Sequence, residues 1–127
     1  MDSEAQLKKY WSSVLGEGGG KMAWRSVPLK PGEKHYWHAA ARITGSSETI
    51  SEAAVALKGP DGRIIRLPEL ERELVSGNIN TADAVLDEVQ NLVECHDDED
   101  GSAAIKRYLA AWICADVVGR CIEGTGD

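Results

Sequence analysis

Residues 108–118, YLAAWICADVV, constrain the fold more than any other stretch of the chain. Asp116 is the one charged group in an otherwise apolar run, so a helix through this segment has no polar face to offer water. Such a helix must be buried on most sides, in a core or at a subunit contact, and the rest of the chain has to supply the layers around it. At 127 residues the chain can build one such core but not two independent ones, so residues 1–127 are read as a single globular domain.

The elements that supply those layers are legible in turn. Residues 1–16 predict a helix: Leu7, Tyr10, Trp11, Val14 and Leu15 recur at helical spacing, Ser3 and Gln6 form a capping pair, and Gly16 stops the run. Residues 17–21 read as a glycine-rich linker. They do not form a phosphate loop, because Leu15 and Met22 occupy positions where that motif needs Gly and Ser or Thr, and no strand precedes them.

Residues 22–67 predict an antiparallel β-meander of about four strands, MAWRSVPL, KHYWHAAARI, TISEAAVAL and RIIRL, separated by the turn sequences KPGE, TGSSE and KGPDG. A competing reading makes helices of residues 34–43 and 47–58, since HAAAR and EAAVAL have good helix propensity. The regular turn spacing favours the sheet.

Residues 68–123 are helical. Pro68 stands at a first helical position and Gly77 just past the end of PELERELVSG. The segment NTADAVLDEVQNLVECH places Ala82, Val85, Leu86, Val89, Leu92 and Val93 on one stripe and brings His96 to its last turn, and the apolar helix follows. Residues 124–127 are a tail. The expected fold is therefore α+β: an N-terminal helix, an antiparallel meander, then three helices packed on the sheet.

Charge is segregated along the chain. Residues 1–80 carry 11 basic and 10 acidic groups and residues 81–127 carry 3 and 11, so the net −7 belongs to the C-terminal third. Eight carboxylates lie between Asp83 and Asp100 with no Lys or Arg among them, which excludes this face from direct nucleic-acid binding and suits a basic partner surface.

The stretch ECHDDEDGS, residues 94–102, gathers a thiol, an imidazole and carboxylates. It is no calcium hand: with Gly101 as the obligatory glycine, His96 falls at the first ligand position and Arg107 where the bidentate Glu belongs. Adjacent Cys95 and His96 point about 100° apart on a helix, which argues against zinc. The stretch reads as a solvated turn whose acids cap the last helix.

Cys95, Cys114 and Cys121 have no C-x-x-C spacing and read as reduced, buried thiols. Asp116 is expected to pair with Arg120, four residues on. His35 and His38 share a face on a helix but not on a strand, so the meander argues against a metal site there. No serine lies in a nucleophile motif, and no catalytic residue, metal or cofactor is expected. With no signal-like or membrane-spanning segment, the chain reads as cytoplasmic.

In composition the sequence resembles small acidic bacterial or phage inhibitors, immunity proteins and adaptors. Together with the acidic C-terminal third, that resemblance points to a non-enzymatic protein-binding module. Its partner would be a protein with a basic surface, a nucleic-acid-binding protein being one such, met by Asp83, Asp87, Glu88, Glu94, Asp97, Asp98, Glu99 and Asp100. An exposed Trp11, Trp24 or Trp37 would supply most of the affinity. Two alternatives stand beside it: a small-molecule- or metal-binding enzyme with a site near His35, Trp37 and His38, and a homo-oligomeric structural protein joined through its last helix.

Overall fold

The computed structural model describes residues 4–16, 19–28, 35–45, 48–59, 62–97 and 101–123. The expected Ser3 cap, the KPGE turn, Ser46 and Ser47, Pro60 and Asp61, Glu17 and Gly18 of the linker, Asp98 to Asp100 and the 124–127 tail lie outside them. The elements run α1 (Glu4–Leu15), β1 (Lys21–Pro28), β2 (His35–Gly45), β3 (Ile50–Lys58), β4 (Ile64–Arg66), α2 (Pro68–Ser76), α3 (Ala82–Leu92) and α4 (Ala103–Glu123). The fold is α+β as the sequence predicts, with all four strands antiparallel in the order β1-β2-β3-β4.

The alanine-rich segments are strands despite their helix propensity, and the packing explains why. Trp37, Ala39, Ala41 and Ile43 of β2 face one side, where with Ala23, Val55 and Leu57 they meet α2, α3 and α4 in the main core. Ala40, Ala54 and Ala56 face the other side and form the floor on which Trp11 and Leu15 of α1 rest. A sheet covered on both faces needs small side chains where helices approach closely, and that tertiary demand outweighs local propensity.

The helices close over the sheet much as their end signals predict. Pro68 opens α2 and Gly77, at φ 88, ends it with its N–H bonded to the Leu74 carbonyl. Glu71 of α2 accepts from the Val55 N–H and from Arg66 Nε with the same oxygen, both at 2.8 Å, which ties α2 to β3 and β4. Thr81 caps α3 by accepting from the Ala84 N–H. The apolar run in α4 is buried as required: Ala110, Ala111, Ile113, Cys114, Val117 and Val118 are all 0% exposed. No helix among the described residues is long and apolar enough to cross a membrane.

One expectation needs correcting. α3 ends at Leu92, not His96, because Val93 turns extended at φ −100, ψ 123 and places its side chain in the core. The carbonyls this releases are taken by the start of α4: Arg107 Nε donates to the Val93 oxygen at 3.3 Å and Lys106 Nζ to the His96 oxygen at 2.9 Å. Basic groups on the next helix thus replace the helical turn that sequence periodicity anticipates.

Candidate functional site

Two surfaces of the molecule bring polar and aromatic side chains together. The first lies where α3 packs against α4. Val85 and Val89 point into the core, which leaves Asp83 and Asp87 exposed and Glu88 half-buried on the outer side of α3, with Glu94 exposed just beyond its end. Alongside, α4 presents Ile105 and Tyr108, 55% and 48% exposed, and the same stripe continues through half-buried Leu109 and Trp112 at helical spacing. A notch of about 210 Å³ between the helices joins the two sets, lined by Ala82, Asp83, Leu86, Trp112, Ala115 and Asp116.

Asp116 is the structural anchor of that notch. Arg120 approaches it at 3.5 Å, as its spacing predicts, and Arg25 of β1 at 3.2 Å. Arg25 also lies over the Trp112 ring, 4.7 Å from its centroid. The single carboxylate in the apolar run is therefore an ion-paired link between sheet and helix.

The second surface is a cleft of about 300 Å³ between α1 and the outer face of the sheet. Tyr10 and Trp11 meet edge to face with centroids 5.1 Å apart, and Trp24 of β1 lines the same space. Ser26 pairs with His38 in the β1–β2 register, bringing the hydroxyl within 2.7 Å of Nδ1. The Lys58 ammonium stands over the Tyr10 ring, 5.2 Å from its centroid.

Several residues singled out from the sequence sit elsewhere than expected. Trp11 and Trp37 are 4% and 8% exposed, so neither is an exposed anchor: Trp11 fastens α1, and Trp37 donates from Nε1 to the Lys106 carbonyl inside the core. Trp24 is half-buried. Trp37 and His38 point to opposite faces of β2, so they do not line one site, and the side chain of His35 lies outside the described residues. Among the described residues no three His, Cys, Asp or Glu side chains gather to hold a metal ion.

Part of the acidic stretch falls among the described residues. Asp97 accepts from the Ala103 N–H at 2.6 Å and Ser102 from the Ile105 N–H at 3.2 Å, so both cap α4. His96 is exposed and lies past the end of α3. The thiols are held in their neutral form: burial pushes Cys114 up to about 12 and Cys121 up to about 11, and it raises Cys95 against the opposing pull of Arg107 and Lys106. Such thiols make poor nucleophiles.

Sequence reasoning missed Tyr10, Ser26 and Lys58 as neighbours of His38, and Ile105 and Tyr108 as exposed apolar groups. Ile105 was readable, since it stands with Lys106 and Arg107 ahead of the apolar run, whereas Tyr108 opens the run that reads as buried. The first three come together only through strand register and helix docking.

No protein-family model matches the sequence, and no curated protein is significantly similar to it. Solved structures do share its fold. Quinoline 2-oxidoreductase from Pseudomonas putida 86 matches 83% of this chain with a TM-score of 0.66 at 19% identity. Carbon monoxide dehydrogenase from Hydrogenophaga pseudoflava, in a form lacking the Mo-pyranopterin moiety of the molybdenum cofactor, matches 88% with a TM-score of 0.66 at 21% identity. Reconstituted CO dehydrogenase from Oligotropha carboxidovorans matches 81% with a TM-score of 0.65 at 18% identity.

The chain spans between 37% and 39% of the length of those chains. The expectation of an inhibitor, immunity protein or adaptor is thereby corrected, because the solved structures in which this fold recurs are oxidoreductases. That expectation rested on acidic composition, which reports solubility and charge but not fold.

Proposed function

We propose that this chain is a structural module of an oxidoreductase assembly, one that packs against a redox-active unit and does not itself carry out chemistry. The observation that carries the reading is the recurrence of its fold as 37–39% of the length of several oxidoreductase chains. In such a chain the remaining length must pack against something, and this module offers a face suited to it.

That face is the α3–α4 surface. Ile105 and Tyr108 lead an apolar stripe into Trp112, Asp83 lines the notch beside that ring, and Asp87 is exposed one turn further along α3. Aromatic and aliphatic groups at the centre of a contact supply most of its free energy, and a charged margin sets approach and selectivity. The complementary surface is apolar at its centre and basic at its margin, whether it belongs to the same polypeptide or to another.

The test is purification of the tagged chain from its source cells, with partners identified by mass and the complex assayed for molybdenum. The expected result is stoichiometric recovery of an oxidoreductase polypeptide that is lost when Ile105 and Tyr108 are both replaced by Asp. Neutralising Asp83, Asp87, Glu88 and Glu94 should weaken the complex and flatten its salt dependence. Recovery of the chain alone, or of a partner whose binding ignores both sets of changes, overturns the proposal.

A further inference from the structure

The cleft between α1 and the sheet lies on the opposite side of the molecule from the proposed packing face, and nothing in that proposal uses it. We infer that it is a binding site for a small planar aromatic anion. The walls set the first half of that chemistry. Tyr10, Trp11 and Trp24 surround the space, and its volume of about 300 Å³ stands at the lower end of small-ligand pockets, enough for one or two fused rings. Rings of this kind hold a planar guest by stacking and edge contacts, which selects flatness over bulk.

The charge requirement comes from Lys58. Its ammonium hangs over Tyr10 at the cleft and makes no ion pair with a described carboxylate. The acid of β3 on the same face, Glu52, is six residues along the strand, about 20 Å away at the usual rise. α1 carries two further exposed cations, Lys8 and Lys9, outside the residues that line the cleft. The acidic helix α3 is on the other side of the sheet, so an anion reaching this cleft meets positive charge on a chain whose net charge is −7. The Ser26–His38 pair, fixed by a 2.7 Å contact, supplies a polar patch at the floor.

The test uses 2-naphthoate as probe and the full chain, followed by tryptophan fluorescence and by the indole N–H resonances in 1H–15N spectra. The four tryptophans separate the possible sites: a ligand in the cleft moves Trp11 and Trp24, while Trp37 and Trp112 lie on the other side of the sheet. Saturable one-to-one binding that moves those two signals is expected, with the neutral methyl 2-naphthoate weaker by about tenfold or more. Lys58→Met should remove that preference for the acid. The comparison of acid and ester on the unaltered protein stands even if the variant folds poorly. No saturation at millimolar probe, shifts confined to Trp37 or Trp112, or equal affinity for acid and ester each overturn the inference.

Discussion

Replacing Trp11 by Ala probes the two-sided construction of the sheet directly. Trp11 is 4% exposed and belongs to a cluster with Leu15, Ala40, Ala54 and Ala56 that is separate from the main core across the sheet. Truncating a buried Trp costs about 3–5 kcal/mol. Among the described side chains of this twelve-residue helix only Trp11 and Leu15 are buried, with Val14 packed beside them, so that cost is a large share of what docks α1. The helix should therefore undock while the strands and α2 to α4 keep their own core. In hydrogen exchange, amides of residues 12–16 should lose about 10²–10³ of protection, since each 1.4 kcal/mol is a factor of about ten. Amides in α4 around Ile113 should stay strongly protected, and the melt should stay cooperative. Equal protection in α1 and α4 before the change and parallel loss after it would show one cooperative unit and refute the separation of the clusters.

Three further outcomes follow from particular contacts. Thr81→Ala removes the acceptor for the Ala84 N–H and should cost about 1 kcal/mol, a fall in Tm of roughly 3–5 °C by calorimetry that Thr81→Ser largely restores. Burial raises Cys114 and Cys121 from 9.0 to about 12 and about 11, so the stability tied to their neutral form is complete below pH 9 and drains as pH rises through those values. Urea titrations at pH 8, 9.5 and 11 should show that decline, Cys114→Ala should make it shallower, and identical slopes would contradict the assigned cause. Gly45 sits at φ 114, where an added Cβ would overlap the Thr49 carbonyl. Gly45→Ala should lower the urea midpoint by an amount corresponding to more than about 1 kcal/mol.

Much of the fold was legible because its signals are local. Pro68 and Gly77 bound α2 through backbone rules that act within a turn. The burial of α4 follows from a run with one carboxylate, and the strands follow from turn residues placed at hairpin intervals. The place where local reasoning overshot is instructive. Helical periodicity carried α3 on to His96, whereas Lys106 and Arg107, 10 and 14 residues from the carbonyls of His96 and Val93, hold the chain where it leaves the helix at Val93.

The candidate sites divide along the same line. Sequence alone determined that the C-terminal third is acidic, that the last helix is buried, and that His35 and His38 do not share a face if their segment is a strand. Only tertiary structure decided that Trp37 and His38 occupy opposite faces of the sheet, that Ser26 stands beside His38, that Lys58 reaches Tyr10, and that Trp11 serves as a fastener. The physical reason is that caps, turns and periodicity are written over a few residues. A cleft is written by register between strands and by the docking of a helix over side chains that lie about 13 to 52 residues away in the chain.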